Sequence, residues 1–211
     1  MDTDDLLNKS VDGIKVDSEA SMEIEQESKP QRFMDFPNEY AFRSCPFCIG
    51  EIHSIWLRFA DDEGKVRQEY PWADRFVCGF PLPEFQRGLK WSTAQKARLI
   101  QSIWFNIDIG SYIVTGGASV NGVMSMHSDM VIDGQQRLSA IEDYFADRLA
   151  IPDTQGTLRL FSEISPTDQR FFRSRIFSRI TVASHDLEYL KNLYNIMAFG
   201  GVAHEESERD G

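Results

Sequence analysis

One short run of residues combines the groups best suited to holding an anion: Asp133-Gly134-Gln135-Gln136-Arg137. Where a strand ends and a helix begins, the unpaired N–H groups of the first helical turn form an anion site. Gly134 lets a ligand approach the backbone closely. The amides of Gln135 and Gln136 can donate or accept, and Arg137 offers a forked cation suited to phosphate. Asp133 has the chemistry to hold a ribose hydroxyl, a Mg²⁺ ion or an attacking water.

The same residues also suit a purely structural turn. Asp133 can cap the helix while Gln136, at its third position, returns the hydrogen bond. The amides would then lie at the surface. Strand-turn-helix joints are common in proteins, so the residue types alone leave both interpretations open.

Two further clusters hold candidate ligand groups. Gln86 and Arg87 precede Trp91, so Arg87 can serve as a second phosphate cation or as a surface arginine stacked on Trp91. His204 follows a Gly200-Gly201 pair that is typical of a helix end. A histidine can titrate near neutrality and act on a phosphate or metal, but one this close to the end of the sequence is commonly exposed and idle.

The three cysteines offer a weaker case for zinc. Cys45 and Cys48 have the spacing of a zinc knuckle, and Cys78 with His53 would have to complete the four ligands. No second closely spaced pair is present, so the sequence favours ordinary reduced cysteines over a zinc site.

Composition excludes several function classes. No apolar run approaches the roughly 20 residues that a membrane span needs, and the acidic start lacks a signal core, so we expect a cytoplasmic protein. The net charge of -11 falls mostly on residues 1–30 and the last eight residues. Such tails favour solubility or, alternatively, dock a basic partner. No P-loop, Gly-x-Ser-x-Gly elbow or His/Cys nuclease cluster is present.

The elements that position these residues can be read from apolar periodicity. Residues 130–132 predict a strand, and Leu138, Ile141, Tyr144 and Phe145 predict the buried stripe of the helix that follows. Ser92 and Gln95 have capping-box spacing at the start of another helix. Its apolar face then carries Ala97, Ile100, Ile103 and Trp104.

The remaining pattern predicts one α+β domain of short strands and helices. Residues 52–59 and 65–70 are typical of two strands of a hairpin, joined by the turn signal 61–64. Further strands are expected at residues 111–115, 157–161 and 179–183. Helices are expected from Ser165, with Pro166 at its first position, and from Asp186. The last helix would bury Leu187, Leu190, Tyr194 and Met197.

These clusters, in this order, resemble the N-terminal domain of GmrSD-type modification-dependent restriction proteins, related to the phosphorothioation-sensing protein SspE. The D-G-Q-Q-R-L signature is matched in full at residues 133–138, and residues 83–92 resemble a P-x-Y-Q-R…W-S/T element with Phe85 in place of Tyr. Ile109-Gly110-Ser111 and the end of the last helix, Leu193-Tyr194-Asn195 to Gly200-Gly201, look like the other family elements. The resemblance covers about residues 80–204.

The resemblance implies a ParB/sulfiredoxin-like fold that binds, and often hydrolyses, nucleoside triphosphates with Mg²⁺. Asp133 and Gln136 would be catalytic, with Asp133 the Mg²⁺ ligand. The nucleotide would contact Gln86, Arg87, Gly134, Gln135, Arg137 and His204. We therefore divide the chain into an acidic leader (1–30), an extension with a possible hairpin (31–79), the signature domain (80–204) and an acidic tail (205–211).

The sequence ends at Gly211, so we expect the HNH-type nuclease domain of this family to be missing and a separate nuclease or defence-complex subunit to be the partner. Three functions remain open. The first is a regulatory subunit that binds nucleoside triphosphates, with or without hydrolysing them. The second is a phage or mobile-element protein that inhibits or decoys a host defence complex, and homo-oligomers are compatible with both. The third is a ParB-like DNA-binding protein, which the near-neutral middle of the chain disfavours.

Overall fold

A computed structural model describes residues 42–199, apart from residues 118, 121, 122 and 125. Its strands are β1 (Phe42–Cys45), β2 (Arg75–Val77), β3 (Phe80–Leu82), β4 (Ser111–Thr115), β5 (Ser119–Val120), β6 (Val123–Met124), β7 (Val131–Asp133), β8 (Ile151–Pro152), β9 (Leu158–Arg159) and β10 (Ser178–Val182). Its helices are α1 (Ile49–Asp61), α2 (Glu63–Glu69), α3 (Thr93–Trp104), α4 (Gln135–Phe145), α5 (Pro166–Arg173) and α6 (Leu187–Phe199). A 3₁₀ turn spans Phe161–Glu163.

Four strands form the central sheet, in the order β1-β10-β4-β7. β10 pairs in parallel with β4, whereas β1 and β7 pair antiparallel with their neighbours. The other strands form two-stranded ribbons: β2 with β3, β5 with β6, and β8 with β9. This mixture of short antiparallel and parallel pairs with helices confirms the α+β class.

Alternation along the strands gives the sheet two apolar faces. On one face, Tyr112, Val114 and Val131 join the large core formed with α1, α3, α4 and α5. On the other face, Ile113 and Ile132 pack with α6. The sheet therefore lies between α6 and the other long helices, and β7 is buried on both of its faces.

The predicted starts of α3 and α5 are confirmed. The Ser92 hydroxyl accepts a hydrogen bond from the Gln95 N–H, and the Gln95 side chain accepts from the Ser92 N–H at 2.8 Å. Ser165 caps α5, with Pro166 in its first turn. Both helices begin where side-chain oxygens satisfy N–H groups that have no partner inside the helix.

The predicted hairpin at residues 52–70 is wrong, because the structure forms α1 and α2 there. Ile49 and Ile52 are fully buried at helical spacing, and the Glu51 side chain accepts from the Cys48 N–H at 2.8 Å. The apparent turn signal is a helix cap, since the Asp62 carboxylate accepts from the Lys65 N–H at 2.9 Å. The aromatic and β-branched residues of this segment are typical of a strand, but the segment is helical because it buries one helical face.

Two smaller predictions need adjustment. The strand expected at residues 157–161 is only Leu158–Arg159, because Phe161 begins the 3₁₀ turn. The last helix is confirmed and buries Leu190 and Tyr194, but Leu187 and Met197 are each 46% exposed. No helix among the described residues is long and apolar enough to cross a membrane. The acidic leader and tail lie outside the described residues.

Candidate functional site

The signature residues line a cavity of about 210 Å³, which we call the signature cavity. It lies where β7 ends, α4 begins and the loop 86–91 meets α6. Its walls are Gln86, Arg87, Trp91, Asp133, Gly134, Gln135, Gln136, Arg137, Tyr194, Met197 and Ala198. Larger cavities of about 420 and 550 Å³ exist elsewhere in the described chain, and they share no lining residue with this one. The convergence of charged and amide groups, rather than size, marks the signature cavity as the candidate site.

Gly134 makes the turn from β7 into α4 possible. Its φ is 96°, in the left-handed region, and it occupies the N-cap position. A Cβ atom here would lie 2.6 Å from the Cβ of Tyr112, which is fully buried. Only glycine satisfies both the backbone angle and the close approach of the sheet. The prediction that Asp133 caps the helix is therefore wrong, because Asp133 is the last residue of β7 and Gly134 is the cap.

Asp133 and Arg137 form an ion pair across the first turn of α4. Arg137 Nη2 donates to Asp133 Oδ2 at 2.7 Å, and Arg137 Nη1 donates to the Ile109 carbonyl at 2.9 Å. The guanidinium also lies over the Phe177 ring, 5.6 Å from its centroid. These contacts fix Arg137 in the cavity wall and neutralise much of its charge. Asp133 Oδ1 has no hydrogen-bond donor within the described part of the chain.

The start of α4 carries donors that the helix itself cannot satisfy. The Leu138 N–H bonds the Gly134 carbonyl at 2.9 Å, which is the first bond of the helix. The N–H groups of Gln135, Gln136 and Arg137 have no acceptor among the described residues. Such groups, at the positive end of the helix dipole, favour an anion.

Gln136 holds the loop that precedes α3. Its Oε1 accepts from the N–H groups of Lys90 and Trp91 at 3.0 and 3.2 Å. Its Nε2 donates to the Gly88 carbonyl at 3.3 Å. Both ends of the amide are therefore engaged with backbone groups of one loop.

Gln135 and Gln86 are also engaged with the backbone, and both are almost fully buried. Gln135 Nε2 donates to the Arg87 carbonyl at 2.7 Å, while its Oε1 is buried without a donor in the described chain. Gln86 Nε2 donates to the carbonyls of Val131 and Ile132, at 3.1 and 2.8 Å.

Arg87 differs from Arg137 because its side chain is exposed and makes no hydrogen bond or ion pair to the described residues. Its backbone is nevertheless fixed, since its N–H donates to the Tyr194 hydroxyl at 3.3 Å. The arrangement joins a fixed ion pair, an available guanidinium and unpaired helical N–H groups around one small space. Chemically, that space suits an anionic oxygen group such as phosphate.

A family model described as the GmrSD restriction endonuclease, N-terminal domain, matches residues 73–207, which is more than half of the chain. The chain belongs to this family. No curated protein and no solved structure matches it. Membership of the GmrSD family associates the chain with restriction systems.

In this GmrSD domain, the fold brings together around one cavity seven of the eight residues predicted for the nucleotide site: Gln86, Arg87, Asp133, Gly134, Gln135, Gln136 and Arg137. The eighth, His204, lies outside the described residues. Analysis of the sequence missed the contribution of α6, whose Tyr194, Met197 and Ala198 complete the wall. The sequence marks Tyr194 only as a buried residue and as part of the family-like end of the last helix, and no local spacing links it to a loop more than 100 residues away.

The cysteines of the GmrSD domain have separate surroundings. Cys45 is exposed, and Cys48 lies at the start of α1. Cys78 is buried and its Sγ donates to the Leu138 carbonyl at 3.2 Å. Burial and the neighbouring Glu142 carboxylate raise the pKa of the Cys78 thiol. No group of three potential metal ligands occurs among the described residues, so the Cys45–Cys48 pair gains no third ligand there.

Proposed function

We propose that this GmrSD-family domain binds the phosphates of a nucleoside triphosphate, with Mg²⁺, in the signature cavity, and that this binding regulates a restriction system. The observation that carries the proposal is that one cavity is lined both by Arg87, whose side chain has no described partner, and by the start of α4 with its unpaired N–H groups. Family membership supports the link to restriction.

The size of the cavity favours binding of phosphate groups rather than of a whole nucleotide. About 210 Å³ is less than the 300–1,000 Å³ typical of sites that enclose a small molecule. The helical N–H groups would hold phosphate oxygens, and Arg87 would approach them from the loop. Ribose and base would then lie towards the mouth of the cavity.

Asp133 suits a single contact to Mg²⁺. One of its oxygens pairs with Arg137 and the other has no described donor, so one carboxylate oxygen remains for a cation. Magnesium in phosphate sites commonly takes one or two carboxylates, with waters and phosphates as its other ligands. Bound Mg²⁺ would offset phosphate charge, and if hydrolysis occurs, Asp133 is the residue placed to orient water.

Calorimetric titration and thermal shift with ATP, GTP, CTP and UTP, each with Mg²⁺, test the proposal. At saturation we expect at least one nucleotide to raise the unfolding midpoint by about 5 °C. Arg87→Ala should weaken binding by about 10- to 100-fold, because a hydrogen bond to a charged group contributes about 1.5–3 kcal/mol. Arg159→Ala, which removes an exposed arginine at a different cavity, should leave affinity unchanged. Absence of binding for all four nucleotides would overturn the proposal.

A second candidate function, partner binding, is favoured by exposed apolar side chains. Phe105 lines the cavity of about 420 Å³, Ile107 follows it closely in the sequence, and Phe171 stacks on Trp104 of the cavity wall. Phe105 is 77% exposed, Ile107 57% and Phe171 47%. Large apolar surfaces of this kind commonly mark interaction sites. A protein of a host defence complex would fit this function, and nucleotide binding at the signature cavity would not be needed for it. Co-purification with such a complex, lost in Phe105→Ser but retained in Arg87→Ala, would favour this second function.

A further inference from the structure

The loop from Gln86 to Trp91 has no regular secondary structure, yet six of its twelve backbone N–H and carbonyl groups are bonded by side chains. Backbone groups in such a loop must find partners elsewhere, because no strand or helix supplies them. Glutamine amides supply most of them here: Gln135 bonds the Arg87 carbonyl, and Gln136 bonds the groups of Gly88, Lys90 and Trp91.

The remaining contacts close the same loop from its other side. Arg75 Nη2 donates to the Gln86 carbonyl at 2.7 Å, and the Gln86 side chain bonds the backbone of β7. The Tyr194 hydroxyl accepts from the Arg87 N–H. Thus the loop is bonded to β7, α4 and α6 at once, and the bonded groups run from Gln86 to Trp91, on both sides of Arg87.

We infer that Gln136 and Gln135 of the signature are positioning residues, which hold the Arg87 loop so that the Arg87 guanidinium meets the start of α4. This inference rests on the proposed function, and it reassigns the two amides from ligand contact to loop control. Gln136 uses both acceptor positions of its oxygen and one N–H of its nitrogen on backbone groups of the loop, so only one N–H of the amide remains for any other contact. We call the contacts of Gln135 and Gln136 with this loop the glutamine clamp. The clamp leaves the Arg87 guanidinium available to a ligand.

The donors and acceptors that the loop presents explain why an amide is needed at residue 136. The loop presents two N–H donors and one carbonyl acceptor within four residues. A carboxylate could accept from both N–H groups but could not donate to the carbonyl, and an ammonium could only donate. Glutamine carries both polarities at one end of a side chain long enough to reach the loop.

A double-mutant cycle with Mg²⁺-triphosphate affinity as its readout tests the inference. Arg87→Ala should weaken affinity by about 10- to 100-fold, and Gln136→Leu by about 10-fold. If Gln136 acts through Arg87, the double variant should bind no more than about twofold more weakly than Arg87→Ala alone. Independent, multiplying losses would mean that Gln136 contacts the ligand, and would overturn the inference.

Two further variants supply an alternative test and a control. Gln135→Met removes only the bond to the Arg87 carbonyl, so the same cycle applies if Gln136→Leu does not fold. Gln155→Leu, at an exposed glutamine outside the cavity, should change neither affinity nor loop order.

Hydrogen exchange measured without nucleotide separates this inference from the proposed function. The amide protons of Lys90 and Trp91 should be protected in the unmodified protein and should exchange at least about 10-fold faster in Gln136→Leu. If protection persists in the variant, the clamp is disproved even if nucleotides bind. If no nucleotide binds but protection is lost as expected, the proposed function fails while the clamp stands.

Discussion

The two ends of α4 border cavities of opposite character, although they lie only about 15 Å apart along one helix. At its start, the signature cavity is small and lined by arginines, an aspartate and amides. At its end, Tyr144 borders a cavity of about 420 Å³ with Trp104 and Phe105, which we call the aromatic cavity. One 11-residue helix therefore separates a cavity lined by charged and amide groups from a cavity with a largely apolar wall.

The difference lies in which groups the fold leaves unsatisfied. At the start of α4, three N–H groups and the Arg87 guanidinium have no described partner. At the end, burial raises the pKa of Tyr144 to about 12 despite an opposing hydrogen bond from Trp104, so this hydroxyl stays neutral at physiological pH. Chemistry is therefore expected at the signature cavity, whereas the aromatic cavity contributes packing and apolar surface.

The largest expected effect is on the packing beneath the aromatic cavity. Phe172 is fully buried, with its ring centroid 5.1 Å from that of Tyr144 and 5.2 Å from that of Trp104. We expect Phe172→Ala to lower the free energy of unfolding by about 3–5 kcal/mol, because it leaves a void that the rings cannot fill. Urea unfolding monitored by tryptophan fluorescence measures this change.

The neighbouring Phe171 provides the matched control. Its side chain is 47% exposed, its ring stacks on that of Trp104, and the Arg175 guanidinium lies over the Phe171 ring, 3.7 Å from the ring centroid. We expect Phe171→Ala to cost only about 1 kcal/mol. Equal losses for the two variants would contradict the division between packed interior and exposed surface at this end of α4.

The next largest effect is expected at Gly134, where α4 begins. Gly134→Ala combines a left-handed backbone angle with a Cβ placed 2.6 Å from the Tyr112 Cβ. We expect it to lower the free energy of unfolding by about 2–4 kcal/mol. Thermal and urea unfolding measure the loss.

Gly156, in the turn between β8 and β9 near the aromatic cavity, separates the two causes. Its φ is 79°, yet a Cβ there would meet no atom within 4 Å. Gly156→Ala should therefore cost only the backbone strain, about 1–2 kcal/mol. If it cost as much as Gly134→Ala, the close approach to Tyr112 would have no role.

Much of the fold and of the signature site could be predicted from the sequence, wherever the signals are local. The strand at 111–115, the capped α3 and the buried stripe of α4 follow from periods and caps that span only a few residues. The signature turn and Arg87 were also expected to share a site. These predictions succeeded because strand alternation and helical spacing depend on burial of a single face.

The predictions that failed needed information from distant parts of the chain. Residues 52–59 contain strand-forming side chains, and only packing of α1 against the remainder of the core makes them helical. The hydrogen bonds of the Gln136 side chain could not be predicted either, because its partners lie about 45 residues away in a loop without periodicity. An amide accepts and donates alike to ligand and backbone, so residue type alone could not assign its role.

The smallest expected effect is a dependence of folding stability on pH, which differs between the two ends of α4. His53 packs edge-on against Phe145, the last residue of α4, with ring centroids 4.6 Å apart. Burial, with Arg173 nearby, lowers the pKa of His53 below its usual 6.5. No histidine lines the described wall of the signature cavity. A response to pH near neutrality is thus expected from the aromatic end of the helix.

The direction follows from proton uptake on unfolding. The folded state resists protonation of His53, whereas the unfolded chain accepts a proton near pH 6.5, so stability is fully present above that pH and declines as the pH falls through it. We expect a lower unfolding midpoint at pH 5.5 than at pH 7.5.

His53→Gln should reduce the difference without abolishing it, because burial, with His127 nearby, also lowers the pKa of His185. Asp143, whose pKa lies below 3.8 because hydrogen bonds from Lys96 and Arg148 outweigh burial, titrates below this window. An unchanged difference in His53→Gln would show that the aromatic end of α4 is insensitive to protonation, and the contrast in pH response between the two ends would be lost.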